Sequence, residues 1–241
     1  MDKSINHILK TIKDHGNPQI AAHSQRFFKT GKGEYGEGDV FLGIRVPLIR
    51  KFVREFKSIT LPESLELLKS NFHEVRLLAL LILVSKFKRH HREADEKEIY
   101  EAYLNHTDFI NNWDLVDCSA GPIVGAYLYQ KDRAPIHRLV QSSILWERRI
   151  GIMSTFHFIK QEDYSDTIKI AKVLLEDPHD LIQKAVGWML REVGKRNLPL
   201  EEEFLMKYYR MMPRTMLQYA IEKLPESDRK AYLQGRGKNK F

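Results

Sequence analysis

The sequence is poor in cysteine and in long apolar runs, and each shortage excludes a class of protein. A single cysteine, Cys118, cannot form an intramolecular disulfide. The amphipathic start "MDKSINHILKTIKDHG" lacks the unbroken apolar run of a signal peptide, so we expect a reducing compartment, the cytoplasm. The longest apolar run, "LLALLILV" at 77–84, is too short to span a bilayer and indicates a buried helix and no membrane association.

Flexible linkers are also scarce. The chain has 13 glycines and 9 prolines among 241 residues, and the glycines cluster in "GKGEYGEGDVFLG" at 31–43. With 43% hydrophobic residues, the composition predicts one domain over residues 1–241. We expect its last segment, 229–241, to be a basic and mobile tail, with weak phosphate contacts as the functional alternative.

Strand signals are nearly missing, and helical spacing takes their place. No apolar and polar alternation is sustained, whereas "PLIRKFVREFK", "HEVRLLALLILVSKF" and "DLIQKAVGWMLREV" place apolar residues three and four positions apart. Similar segments begin at Glu74, Leu115, Trp146 and Leu181, with spacings of 31 to 41 residues. The pattern predicts an all-α fold, an α-solenoid of HEAT-like helix pairs with a concave, basic groove.

The charge balance favours a polyanionic partner. Lys and Arg number 39 against 32 Asp and Glu, which gives a net charge of +7. "GKGEYG" at 31–36 fits a phosphate-binding glycine pattern, but no strand precedes it and Glu34 would repel phosphate, so we interpret it as a plain loop. His90 and His91 lack a third ligand at metal spacing, and we predict no metal site.

Several side chains on the repeated segments break the apolar pattern. Trp113 and Asp117 lie one helical turn apart, and Arg149 takes the like position in "WERRIGIM". In the segment that begins at Leu181, Lys184, Trp188 and Arg191 share one helix face and alternate cation, indole and cation. A stripe of core residues would not carry this alternation. These residues are candidates for a binding surface.

Each candidate also has a purely structural interpretation. A Trp most often packs in part against a core, and Asp114 is placed to cap its helix. Arg148 adjoins Arg149 and points about 100° away from it on a helix, so we expect Arg148 to be solvated. Cys118 beside a carboxylate suits packing better than thiolate chemistry. Asp117 lies further inside the helix, where Asp is a poor helix former, so it is the candidate that a structural role explains least well.

The residue types point to a particular chemistry when they are taken together. Arg and Lys suit phosphate oxygens, and an indole face stabilises positive charge. A lone carboxylate among them repels phosphate, but it becomes useful if the substrate turns cationic during reaction. Cleavage of an N-glycosidic bond does this, because the sugar passes through an oxocarbenium-like state.

These residues resemble the AlkD type of DNA alkylation-repair glycosylase, which is built from HEAT-like repeats. The likeness runs from "NPQIAAHSQRFFK" and "FLGIRVP" to "MPRTMLQYAIEKLP", and "NNWDLVD" and "KAVGWMLRE" are its most specific motifs. The resemblance implies removal of positively charged purines, N3-methyladenine and N7-methylguanine, from duplex DNA. It implies a monomeric, monofunctional enzyme with no cofactor, no obligate protein partner and no base-binding pocket.

The resemblance also assigns roles to residues of this chain. Trp113 and Trp188 would contact the deoxyribose of the lesion, Asp117 would stabilise the cation and position water, and Arg149 would hold the adjacent backbone. Further DNA contacts are expected from Lys184, Arg191, Phe27 and Arg45. Phe27 stands where the best-known members have Tyr, so a contact that needs that hydroxyl is lost.

Two other functions stay open at this point. The same groove could belong to a non-catalytic HEAT-like module that binds DNA, including branched DNA. It could also belong to a scaffold that binds a protein partner, which would show little affinity for DNA and little salt dependence.

Overall fold

The computed structural model describes residues 5–89 and 92–237, and His90 and His91 lie outside these ranges. Within them, extended structure is limited to a single bridge between Val40 and Phe72. Short 3₁₀ helices cover Thr107–Phe109 and Ile221–Lys223, and a π-helical turn covers Gly121–Gly125. The all-α prediction is therefore confirmed. The α-helices are α1 Ile5–Lys13, α2 Pro18–Phe27, α3 Val46–Glu55, α4 Leu61–Leu68, α5 His73–Arg89, α6 Glu93–Leu104, α7 Trp113–Ala120, α8 Ala126–Leu128, α9 Ala134–Leu139, α10 Leu145–Lys160, α11 Ser165–Val173, α12 Asp180–Gly194, α13 Leu198–Tyr208, α14 Arg214–Ala220 and α15 Glu226–Leu233.

Helix starts follow from local capping chemistry. The Asn17 side chain accepts hydrogen bonds from the main-chain amides of Gln19 and Ile20 at 3.0 and 3.1 Å, and Pro18 occupies the first helical position of α2. At α4, Thr60 and Glu63 form a reciprocal capping box. These short-range bonds satisfy amides that a helix terminus would otherwise leave without partners.

The chain divides into two compact units, residues 1–127 and 128–241. In the first unit α5 is central and packs against α3, α4 and α7. Its apolar run at 77–84 is buried apart from one half-buried residue, as its composition predicts. In the second unit α12 packs against α10, α13 and α14. One domain over residues 1–241 stays a prediction.

The segments that look alike in the sequence all lie on helices. Glu74 lies in α5, Leu115 in α7, Trp146 in α10 and Leu181 in α12. Both α5 and α10 are buried over most of their length, because each has apolar side chains on nearly all sides. The periodicity therefore identified the helices that form the cores.

The C-terminal segment begins inside a helix. Residues 229–233, the first part of the expected basic tail, belong to α15, where Tyr232 is buried. Residues 238–241 lie outside the described part of the chain. None of the described helices combines the length and the apolar character that a membrane span requires.

Candidate functional site

The predicted site residues are divided equally between the two units. Phe27, Arg45, Trp113 and Asp117 belong to the N-terminal unit, whereas Arg149, Lys184, Trp188 and Arg191 belong to the C-terminal unit.

Helix α7 carries two of the candidate site residues, Trp113 and Asp117. Asn112 caps α7, and its side-chain oxygen accepts a hydrogen bond from the Trp113 amide at 2.9 Å. Trp113 and Asp117 are both half-buried, so neither is sealed from solvent. Burial raises the pKa of the Cys118 thiol, which agrees with a packing role for that side chain.

Aromatic rings hold the Trp113 indole in place. Phe28 stacks on Trp113 with ring centroids 5.1 Å apart and planes only 10° from parallel. Phe27 meets the same indole edge-on at 6.0 Å, although 60% of Phe27 is exposed. On its other side Phe28 stacks on Phe41 at 4.9 Å. A continuous aromatic stack therefore fixes one face of the indole.

A buried polar network lies behind this stack. His73 bonds Asp39 through Nδ1 at 3.0 Å and Asp114 through Nε2 at 2.8 Å. Arg76 donates to the other Asp39 oxygen at 2.5 Å, and the Asn112 amide donates to Asp39 at 3.1 Å. Two cations and two carboxylates thus compensate one another, which is the condition for burying charge.

The network sets the charge of its own members. Burial by itself would lower the pKa of His73, but the charges and hydrogen bonds of Asp114 and Asp39 outweigh it and raise the pKa to about 9. Burial would raise the pKa of Asp39, yet His73 and Arg76 lower it below its usual value. His73 is therefore an imidazolium at neutral pH, bridging two carboxylates.

The loop before α3 is held on the start of α5. Glu74 accepts hydrogen bonds from the amides of Leu42, Gly43 and Ile44 at 2.9, 2.7 and 3.1 Å. Gly43 has a φ of +81°, and a Cβ there would lie 2.0 Å from the Asn17 carbonyl oxygen. Only glycine allows the loop to approach α2 so closely.

The glycine-rich loop at 31–36 uses its own acidic residues. The Gly31 amide donates to Glu34 and the Gly33 amide to Glu37, both at 2.8 Å. These carboxylates occupy amides that a phosphate would need. The interpretation as a plain loop is confirmed.

The network extends one sequence interpretation and adds residues that were missed. Asn112 is the N-cap of α7, but Asp114, the predicted cap, does accept a hydrogen bond from the first-turn amide of Leu115 at 2.9 Å. Asp114 also pairs with His73, which lies 41 positions away. Sequence reasoning also missed Asp39 and Phe28. The available signals were weak: a His and a Glu at the start of an apolar helix, and an Asp just before an apolar loop.

Each side chain of the predicted α12 stripe, Lys184, Trp188 and Arg191, is bonded to an acidic side chain. Lys184 pairs with Asp180 at 2.7 Å, and Arg191 pairs with Glu222. The Trp188 indole N–H donates to Glu192 at 3.3 Å, and its ring lies 6.0 Å from Phe156. The cation and indole alternation is thus real, but its charge is locally compensated. DNA contact by Lys184, Trp188 and Arg191 stays a prediction.

Both adjacent arginines of α10 make specific bonds. Arg149 is only 4% exposed and donates to the main-chain carbonyl of Leu181 in α12. Arg148 pairs with Asp177 at 2.7 Å and donates to the carbonyls of two loop residues before α10. The expectation that Arg148 is solvated is therefore wrong. The predicted backbone contact of Arg149 stays a prediction.

Arg45 and Phe27 are the most accessible of the predicted residues in the first unit. Arg45 precedes α3, is exposed, and makes no side-chain cap bond to that helix. Phe27 ends α2, a helix without a single buried residue. Both side chains line a cavity of about 590 Å³ under α2.

The comparisons with known proteins agree with this architecture. The model of the DNA alkylation repair enzyme family matches residues 8–224. A solved structure of a predicted DNA alkylation repair enzyme from Enterococcus faecalis has a TM-score of 0.66 at 18% identity, covering 88% of this chain and 97% of that one. AlkD2 from Streptococcus mutans has a TM-score of 0.54 at 19% identity, covering 86% and 98%. A comparison with curated proteins gave no match.

Proposed function

The chain belongs to the DNA alkylation repair enzyme family, and on that premise we propose that it is a monofunctional DNA glycosylase. Its substrate is duplex DNA that carries alkylated, positively charged purines such as N3-methyladenine and N7-methylguanine. The observation that carries the proposal is a half-buried carboxylate, Asp117, one helical turn from the indole of Trp113.

The proposed reaction is hydrolysis of the bond between the deoxyribose and the base. The bonding electron pair leaves with the alkylated base and neutralises its charge, while positive charge develops on the sugar. Asp117 stabilises that charge and orients a water, whose oxygen bonds to the sugar and whose proton passes to the carboxylate or to solvent. The indole face of Trp113 adds a further favourable interaction with the cation.

The surroundings of α7 support this role, because electrostatic catalysis needs groups that are already in position. Asn112 caps the helix, and Asp114 ties its first turn to His73 and through it to Asp39. Phe28 stacks on the indole. The helix start therefore has little freedom to reorient when charge develops.

The other predicted residues take supporting roles in the proposal. In the N-terminal unit, Arg45 binds phosphate and Phe27 lies against the DNA. In the C-terminal unit, Lys184 and Arg191 exchange their acidic partners for phosphate oxygens, which Arg and Lys both suit. Trp188 contacts deoxyribose and Arg149 holds the DNA backbone, as in the family that the chain resembles.

The proposed setting of the reaction is simple. The chain acts as a monomer on duplex DNA, and its net charge of +7 favours that polyanion. Hydrolysis uses water, and the proposal includes no cofactor, metal or obligate protein partner. A single cysteine suits the reducing cytoplasm.

Replacement of Asp117 by Asn tests the proposal. The assay measures release of free base from duplex DNA with one N7-methylguanine, under single-turnover conditions, beside a measurement of DNA binding. We expect excision to fall by about a hundredfold or more, because the neutral amide cannot stabilise the sugar cation, while DNA binding is kept. Asp132→Asn, at an exposed position, controls for the loss of one negative charge.

The outcomes separate the three functions. Equal excision by the wild type and Asp117→Asn contradicts the proposed role of the carboxylate. DNA binding without excision by any variant indicates the non-catalytic DNA-binding module instead. Weak binding with little salt dependence indicates a protein scaffold.

A further inference from the structure

The Trp188 indole is bonded at its edge to a buried carboxylate. Its N–H donates to Glu192 Oε1 at 3.3 Å, and Glu192 lies four positions further along α12. Helical side chains lean towards the N-terminus of their helix, so the Glu192 side chain lies over the turn that carries Trp188. The N–H bond lies in the plane of the ring. The contact therefore holds one edge of the indole and leaves the two ring faces to other partners.

Glu192 is itself held by two cations. Lys195 donates to the same oxygen, Oε1, at 2.5 Å, and Arg196 donates to Oε2 at 3.1 Å and to the Glu192 main-chain carbonyl at 3.0 Å. Burial by itself would raise the pKa of Glu192, but the hydrogen bonds from Lys195 and Arg196 lower it below its usual value. Glu192 is therefore an anion at neutral pH, and its carboxylate has little freedom to move.

The ion pairs alone do not account for the burial of this carboxylate. The side chains of Lys195 and Arg196 are 40% and 32% exposed, whereas Glu192 is only 7% exposed. An acid on the outer surface could pair with both cations without losing its hydration, which is costly for a charged group. The inward position of Glu192 brings its carboxylate to the Trp188 N–H instead.

The two candidate indoles are held in different ways. Phe28 stacks on Trp113 at 5.1 Å with the planes 10° apart. Phe156 lies 6.0 Å from the half-buried Trp188 ring, and those planes are 48° apart. A tilted contact at that distance restricts rotation of the ring less than a close stack does. The orientation of Trp188 therefore depends more on its bond to Glu192.

We propose that Glu192 is a positioning residue for Trp188: it fixes the rotation of the indole, so that the ring presents one defined face to the deoxyribose of the lesion. The inference deepens the proposed glycosylase function and rests on it. Positive charge develops on that sugar during cleavage, and an indole attracts a cation only when the charge lies over the ring face. An indole that rotates freely would offer this face for only part of the time.

An NMR measurement tests the bond without DNA. The chain has three Trp, so the indole N–H signal of Trp188 is identified by its loss in Trp188→Phe. Glu192→Met keeps the length of the side chain but has only a weak acceptor, and it should shift the Trp188 signal upfield and speed its exchange with solvent. Glu192→Gln keeps an acceptor oxygen and should leave the signal near its wild-type position. An unchanged Trp188 signal in Glu192→Met overturns the proposal while the glycosylase stands.

Excision by the same variants tests the positioning role. In the single-turnover assay with N7-methylguanine DNA, Glu192→Met should lower the maximal rate about tenfold, because a group that is out of position loses much of its effect. The Kd for DNA should change by less than about twofold, and Glu192→Gln should restore the rate to within about threefold of the wild type. A wild-type rate in Glu192→Met overturns the positioning role, since the bond would then serve only the fold.

Asp166→Asn is the matched control. Asp166 is also a buried carboxylate of the C-terminal unit, and it is bonded to the side chains of Arg133 and His137. This change should lower the unfolding temperature, as Glu192→Met does, and keep both the Trp188 signal and the excision rate. Equal loss of excision in the two variants overturns the proposal, because lost stability would explain both. A shifted Trp188 signal in Glu192→Met, together with a wild type that excises nothing, supports the bond and contradicts the glycosylase.

Discussion

The charge of His73 makes stability depend on pH within a defined window. Although burial disfavours the imidazolium, Asp114 and Asp39 raise the pKa of His73 from 6.5 to about 9. The folded protein holds this proton more tightly than the unfolded chain. The stabilisation is therefore fully present below about pH 6.5 and is lost as the pH rises through about 9. At about 1.4 kcal/mol per pKa unit, the expected loss is about 3 kcal/mol of unfolding free energy.

Urea unfolding of the wild type and of His73→Gln, from about pH 6 to about pH 10, measures this loss. The comparison with His73→Gln is needed because Glu201 changes the stability in the same direction. Burial raises the pKa of Glu201 to about 8, so the unfolding free energy also falls as the pH rises from about 4.5 to 8. Both proteins contain Glu201, so the difference between their unfolding free energies isolates His73. That difference should shrink by about 3 kcal/mol across the range.

The ring protons of His73 provide a second measurement that does not depend on unfolding. Their chemical shifts should titrate with a midpoint near pH 9, and the signal is assigned by its loss in His73→Gln. A midpoint near 6.5 would refute the charged bridge, as would a free-energy difference that does not change with pH. Because the bridge ends at Asp114, such a result would also remove one support for the ordered start of α7.

Three further substitutions test other features of the structure. Gly43→Ala should lower the unfolding free energy by about 2 kcal/mol or more, because the residue has a positive φ and its new Cβ would clash with the Asn17 carbonyl. Gly33→Ala is the control in the same urea experiment. Gly33 also has a positive φ but no atom near the new Cβ, so this change should lower the unfolding free energy by only about 1 kcal/mol. Glu201→Gln should be more stable than the wild type above about pH 8, where the buried carboxyl must ionise, and similar to it below about pH 5. Thermal unfolding at both pH values measures this gain. A gain that does not depend on pH would contradict a buried, neutral Glu201. Arg149→Ala should lower the unfolding temperature and weaken DNA binding, whereas weaker binding at unchanged stability would mean that its buried bond contributes nothing to the fold.

Much of the fold could be predicted from local patterns. Apolar spacing identified the buried helices around Glu74, Trp146 and Leu181, and Asn17 with Pro18 predicted the start of α2. These predictions succeed because helix formation depends on residues three and four positions apart. The family match is consistent with the motifs around Trp113 and Trp188, which are contiguous in the chain.

The pairing of polar side chains could not be predicted in this way. Asp114 suits a helix cap by position, yet it pairs with His73, which lies 41 residues away and which Asp39 bonds from 34 residues away. From the sequence alone Arg148 is expected to be solvated, but folding brings Asp177 beside it and the two side chains form an ion pair. Such partners are decided by which helices pack together, and local spacing carries no information about that.

The amino-acid order alone determined the helical class, the buried segments, the excess of basic residues and the spacing of Trp113 and Asp117. Tertiary packing alone decided that His73 is charged, that Lys184 and Arg191 of α12 have acidic partners, and that a cavity with aromatic walls lies under α2. The physical reason is range. Helix periodicity and capping act within one or two turns, whereas burial, pKa and cavity shape depend on every group that the folded chain brings within a few ångströms.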